Sequence, residues 1–242
     1  MSLKVAILLC DTQIPVLESD YGNFADQAVK LLTTNDHKYS FDVYNAMDLQ
    51  LPNINELKQY HAIYITGSRS DSYDTSQEWI TNTISFLKNV IYHHDYLKIV
   101  GVCFGHQLIA LAIGMNTGKN NKGWEVGLTE IKVNESIDLF KDKSLNIVEM
   151  HQDIAYGDLP IGFTNIGSSS ICQYQGFYKF GKLLSFQGHP EFSIDCAELL
   201  VKDRVNRGIF DESILNDVKF RGCNLRNDSI NLQNIIFKFL NQ

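Results

Sequence analysis

Residues 97–114 read LKIVGVCFGHQLIALAIG. Residues 99–102 are a short β-branched apolar run, as a buried strand requires. Leu108, Ile109, Leu111, Ala112 and Ile113 then form an apolar run of helix length and composition, closed by Gly114. Between the two sits Gly101-Val102-Cys103-Phe104-Gly105, the cysteine form of a nucleophile elbow, in which a sharp turn pushes one side chain out over the end of a sheet. The flanking glycines suit close backbone approach and dihedral angles that a Cβ would resist. The following helix sets its free N–H groups and positive dipole end beside the sulfur, which favours thiolate. Taken alone, Cys103 is equally a small buried hydrophobe, as many single cysteines are.

The flanking chain supplies the rest of a sheet. Residues 4–10 (KVAILLC) predict a first buried strand. A polar loop over 11–21 and a helix over about 22–32 follow, then a second strand over 41–44. Residues 45–59 are polar, with Pro52, and predict a loop plus one helical turn. Residues 61–66 (HAIYIT) predict a third buried strand. The amphipathic stretch 78–92 sets Trp79, Ile80, Ile84, Leu87 and Ile91 on one face of a helix. This alternation implies an α/β fold: a flavodoxin-like, mostly parallel central sheet with helices on both faces. In such sheets ligands bind at the carboxyl ends of the strands, where Cys103 and Gly67 both fall.

Past Gly114 the character changes. Residues 118–123 form a glycine, asparagine and lysine loop. Residues 127–133, 145–150, 171–174 and 182–186 predict strands of an antiparallel extension of the sheet. Helices close the chain over 193–207 and 227–240, with Ser193 and Asp228 or Ser229 as candidate N-caps. No linker or repeat divides the chain, so residues 1–242 are expected to form a single domain, with the motifs inside about 40–195 and a C-terminal helical extension over about 193–242.

The 242 residues carry a net charge of −7 and no run of lysines or arginines, which argues against a nucleic-acid surface. The apolar run that opens at Val5 is too short for a signal-peptide core or a membrane span. Five cysteines, an odd number without a C-x-x-C pair, match neither a disulfide framework nor a zinc site. A reducing cytoplasmic compartment is expected. His93-His94-Asp95 falls at a helix-to-strand turn without a matching ligand set and reads as a solvated turn. Trp79 and Trp124 read as packing residues. No metal and no cofactor are expected.

A cysteine nucleophile needs a base, and the base needs a group to hold it. The strand 182–186 runs into Gln187-Gly188-His189-Pro190-Glu191. Pro190 restricts His189 to an extended conformation, and residues two apart in an extended chain face the same way. Glu191 can therefore accept from one ring nitrogen while the other faces the thiol. An isolated H-P-E is equally a strand-end histidine making a backbone bond.

Together, G-x-C-x-G-x-Q (Gly101, Cys103, Gly105, Gln107) and the later Gly188-His189-Pro190-Glu191 resemble the class I glutamine amidotransferase family over roughly residues 40–195. The resemblance implies a class I glutamine amidotransferase-like fold and a triad of Cys103 as nucleophile, His189 as base then acid, and Glu191 as orienting carboxylate. It implies cleavage of a γ-glutamyl amide or peptide bond through a γ-glutamyl thioester. The oxyanion would be held by the backbone N–H groups of Phe104 and Gly67. Gln107 would line the glutamyl pocket together with Ser68. Met150-His151-Gln152-Asp153 looks like the family's S-H-x-D loop, which helps receive the α-carboxylate of glutamine, although His151 and Asp153 equally suit a strand-end turn.

Two departures stand out. The loop Thr66-Gly67-Ser68-Arg69 replaces the Gly-Gly-Pro type common in the family, and no synthetase, P-loop or dinucleotide signature is present. The motifs look closest to stand-alone members, some of them γ-glutamyl peptidases, so the expected ligand is a small molecule, glutamine or a γ-glutamyl peptide. The alternatives are a glutaminase subunit feeding ammonia to a separate synthetase, a non-catalytic binding module on the same fold, and a cysteine hydrolase of the α/β-hydrolase or DJ-1-like type.

Overall fold

The computed structural model describes residues 3–12, 14–35 and 39–242. Its strands are β1 (Leu3–Leu9), β2 (Tyr39–Asn45), β3 (Ala62–Ile65), β4 (Lys98–Val102), β5 (Asn116–Lys119), β6 (Glu125–Val133), β7 (Ser144–His151), β8 (Asp153–Tyr156), β9 (Thr164–Asn165), β10 (Gly167–Ser168), β11 (Phe177–Lys179) and β12 (Leu183–Phe186). Its helices are α1 (Glu18–Tyr21), α2 (Phe24–Leu31), α3 (Glu78–His93), α4 (Phe104–Ala112), α5 (Ile194–Asn206), α6 (Glu212–Asn224) and α7 (Ser229–Leu240).

The central sheet runs β2-β1-β3-β4-β12-β11-β9. Its first five strands are parallel, an order of the flavodoxin type. Alternate residues of each parallel strand enter opposite cores. Ile63, Ile65 and Ile99 pack with α3 and α4 on one face, while Tyr64, Val100 and Val102 pack with α2 and α7 on the other. Burial on both faces is why these strands read as unbroken apolar runs.

The antiparallel extension is β11 and β9 alone. The two long alternating strands, β6 and β7, pair in a separate sheet with β10, and β5 pairs with β8 in a ribbon. Period-two alternation says that a segment is a half-buried strand; it does not say which sheet the strand joins. The strand expected over 171–174 is instead a loop, its ends tied by Ser169 N donating to Cys172 O and Gln175 N donating to Gly167 O. The polar loop expected over 11–21 contains a 3₁₀ turn (Pro15–Leu17) and α1.

Of the expected caps, Ser193 and Asp228 both stand at helix starts, and a third cap, not expected, is at α2. Asn23 and Asp26 close a capping box on α2, and the Ser193 hydroxyl accepts from Cys196 N at the start of α5. Asp228 is the N-cap of α7, but its carboxylate turns away to accept from Asn146 N, tying that helix to β7. The stretch before α7 folds as α6, which lies along β6. There the Arg221 guanidinium donates to the Val126 and Leu128 carbonyls, covering backbone that would otherwise be an exposed sheet edge.

Candidate active site

Cys103 stands at the carboxyl end of β4 as N-cap of α4, with φ 51° and ψ −105°, a positive-φ backbone rarely adopted by a side-chain-bearing residue. The strain thus sits on the cysteine itself. The flanking glycines serve close approach: a Cβ on Gly105 would lie 2.5 Å from the Ile65 carbonyl oxygen, and one on Gly101 would lie 2.5 Å from Ile109 Cδ1. Cys103 N donates to Phe186 O at 2.8 Å, which fixes the elbow against β12.

β12 delivers the base beside it. His189 N donates to Val148 O of β7, and Phe192 N closes a turn onto His189 O. His189 Nδ1 lies 2.8 Å from Glu191 Oε1. The two side chains meet as expected, although through a turn rather than a continued extended chain. The imidazole stacks on the Phe192 ring at 4.1 Å with only 6° between planes. Burial opposes the charged imidazole, but the Glu191 carboxylate and the Cys103 sulfur outweigh it and hold the His189 pKa above its ordinary range.

Gly67 faces both groups: a Cβ there would be 3.0 Å from His189 Cε1 and 3.7 Å from Cys103 Cβ. Its loop is held by a clamp that takes the place of Gly-Gly-Pro rigidity. Arg69 donates through Nε and a terminal nitrogen to the two Asp11 oxygens at 2.9 and 2.8 Å, and its backbone N–H donates to Asp11 at 2.7 Å. Thr66 Oγ1 accepts from Cys10 N and donates to Gly67 O. The Phe104 side chain turns into the core against Trp79, leaving its N–H, the first of the helix, without an intrahelical acceptor.

A cavity of about 230 Å³ opens over the sulfur. Ser68, Gln107, His151, Gln152 and Asp153 all line it with Cys103 and His189. Gln107 Nε2 donates to Asp153 O at 3.0 Å, so this glutamine is fixed to the loop expected to receive the substrate. His151 sits among carboxylates: Nε2 is 3.0 Å from Glu125 and 3.1 Å from Glu149, while Nδ1 is 3.0 Å from Asp153 O. With acceptors at both nitrogens the ring carries both protons. Burial works against that charge, yet Glu125 and Glu149 push the pKa up to about 10. Burial raises Glu149 to about 7 despite the pull of His151.

Glu125, His151 and Cys172 offer metal-ligating atoms within 4.8 Å of one another, but both His151 ring nitrogens are already engaged, Nε2 by the carboxylates and Nδ1 by the Asp153 carbonyl. His94, of the turn read as solvated, bonds to Asn89 and Tyr96.

Two pocket residues had no signal in the motifs. Trp124, 37% exposed, lines the cavity rather than a core, and Arg204 of α5 reaches over it. The Arg204 guanidinium lies 5.2 Å from the Trp124 ring and 5.5 Å from that of Phe210. Only the folding-back of α5 brings these groups to the sulfur, which no local spacing encodes.

A family model described as Glutamine amidotransferase class-I matches residues 19–201. The chain belongs to this family. Glutamine amidotransferase-like protein C13C5.04 of Schizosaccharomyces pombe is 38% identical over 222 residues, 88% of each chain. Gamma-glutamyl peptidase 2 of Arabidopsis thaliana is 31% identical over 207 residues, covering 82% of this chain and 80% of the relative. Among solved structures, a glutamine amidotransferase from Thermotoga maritima superposes with a TM-score of 0.71 at 16% identity over the whole of both chains, a likeness of fold. As a class I amidotransferase-type protein the chain is an enzyme of the amidotransferase and hydrolase kind. No helix among the described residues is long and apolar enough to cross a membrane.

Proposed function

We propose that the protein is a cysteine hydrolase that cleaves a γ-glutamyl amide or peptide bond through a γ-glutamyl thioester. The observation that carries this reading is the Cys103, His189 and Glu191 array at the floor of a cavity, with Glu191 2.8 Å from the imidazole. His189 holds the thiol proton and Cys103 Sγ attacks the γ-carbonyl. The oxyanion is received by the N–H groups of Gly67 and Phe104, and losing one such donor typically costs about 10²–10³ in rate. His189 then protonates the departing amine, and the C–N bond breaks. Water, deprotonated by His189, attacks the thioester, releasing glutamate and restoring the sulfur.

Ser68, Gln107, Gln152 and Asp153 bind the glutamyl group, and His151 sets the electrostatics beside it. We place the protein in the cytoplasm, which agrees with five free cysteines. We also read residues 1–242 as one domain, since the cores on the two faces of the central sheet draw on elements from both ends of the chain.

Product analysis tests the function. Purified protein is given glutamine and glutathione, with Cys103→Ser as control. Glutamate and a dipeptide from glutathione, lost in the variant, are expected. Ammonia from glutamine with glutathione untouched would replace this reading by a glutaminase subunit serving a separate synthetase.

A further inference from the structure

Arg204 lines the cavity with Cys103, yet no carboxylate among the described residues lies within ion-pair distance of it. The contrast with Arg69, on the same cavity, is direct: Arg69 is neutralised by Asp11. Of the neighbours on α5, Asp203 is taken by Arg207 at 3.4 Å. The Arg204 guanidinium rests instead on Trp124 and Phe210 and points one terminal nitrogen at the Met150 sulfur. Arg204 is therefore a partly buried cation, held against two aromatic rings, with its donor fork unmatched by any acid among the described residues. Such a fork fits a planar carboxylate bidentately.

Position says which carboxylate. The glutamyl α-amino acid is a zwitterion and needs both signs around it. Lys119, Asp71 and Asp153 supply them together, Lys119 and Asp153 being opposite one another across β5 and β8. Arg204 comes instead from the helix that begins just past His189 and Phe192, and meets the 150–153 loop only at Met150 among the contacts described. His189 must protonate the departing amine, so that amine leaves on the His189 side, toward α5. There the cavity wall is Phe192, Leu200, Trp124 and Arg204, an apolar wall bearing one cation.

We propose that Arg204 binds the free carboxylate of the leaving amino acid or peptide, so that the enzyme selects γ-glutamyl peptides over glutamine. The proposal rests on the γ-glutamyl hydrolase reading, and it adds a leaving-group site built by the C-terminal helices. Ammonia, the leaving group of glutamine, has nothing to offer this cation.

The test compares glutathione with its C-terminal carboxamide, by titration calorimetry on the Cys103→Ala protein, which cannot turn them over. The free acid is expected to bind about 10- to 100-fold more tightly, the range of a charge-assisted bidentate bond. Arg204→Met in the same background brings the ratio to about one, and Arg204→Lys keeps part of it. A ratio between two ligands on one protein is insensitive to lost folded material, and the lysine variant serves if the methionine variant fails to fold. Equal binding of acid and amide by the Arg204 protein, or an equal loss of both in Arg204→Met, would overturn the proposal, as would no binding of either. Turnover by the unsubstituted protein separates the two claims. Acid-selective binding without cleavage would sink the hydrolase and leave the carboxylate site, whereas equal cleavage of acid and amide would sink the site and leave the hydrolase.

Discussion

At Cys103 the backbone is held at φ 51° by bonds on either side, Cys103 N to Phe186 O and Gln107 N to Cys103 O. A strained non-glycine conformation of this kind costs about 1–3 kcal/mol. Replacing Cys103 by glycine should therefore give a protein about 1 kcal/mol more stable than replacing it by alanine, the reverse of the usual ranking, measured by urea unfolding. Glu191 is the next residue with a readable consequence. Its charge is the largest influence raising the His189 pKa, so Glu191→Gln should lower that pKa. The alkaline limb of the pH–rate profile, where His189 loses the proton it gives the leaving amine, should move down by about 1–3 units. Turnover should fall by about 10²–10⁴, the scale of general acid–base assistance. An unmoved limb would mean that Glu191 does not set the charge of this histidine. These residues were legible in sequence because each acts with near neighbours: the elbow is five residues long and Glu191 is two from His189. Arg204 was not, because Trp124 and the cavity that it shares with Cys103 come from distant parts of the chain.

At the scale of elements, β6 and β7 are joined below the cavity by a buried Glu125, His151 and Glu149 network, Glu149 being fully enclosed. His151→Ala would leave two buried carboxylates facing each other and should cost about 3–5 kcal/mol in unfolding free energy. The pH dependence has a definite sign. The His151 pKa rises from 6.5 to about 10 on folding, so its contribution is full below 6.5 and is lost between 6.5 and 10. Glu149, raised from 4.5 to about 7, acts in the same direction over that lower window. The melting temperature should therefore fall as pH is raised from 7 to 10, and His151→Gln should flatten that fall. A steeper fall in the variant would remove His151 from the account. The H-Q-D motif was visible, but the carboxylates that give it its charge lie on two paired strands, Glu125 opposite His151 in register. Strand pairing was also where sequence reading of the fold ran short: β6 and β7 were recognisable as strands, yet their separation from the central sheet depends on contacts with α5 and α6.

Across the whole molecule, the carboxyl ends of four neighbouring strands converge. β1 brings Asp11 to clamp the Gly67 loop, β3 brings Gly67, β4 brings Cys103 and β12 brings His189 with Glu191. The parallel sheet makes this convergence unavoidable, and the chain past His189 closes over it with α5. Hydrolysis at this site requires Cys103 to carry the glutamyl group during turnover. The most direct measurement is rapid acid quench of the protein with glutathione, followed by intact-mass and peptide analysis. A covalent adduct of one glutamyl residue on Cys103, absent from Cys103→Ala, is the predicted result. Turnover with no adduct, or an adduct on any other cysteine, would contradict it.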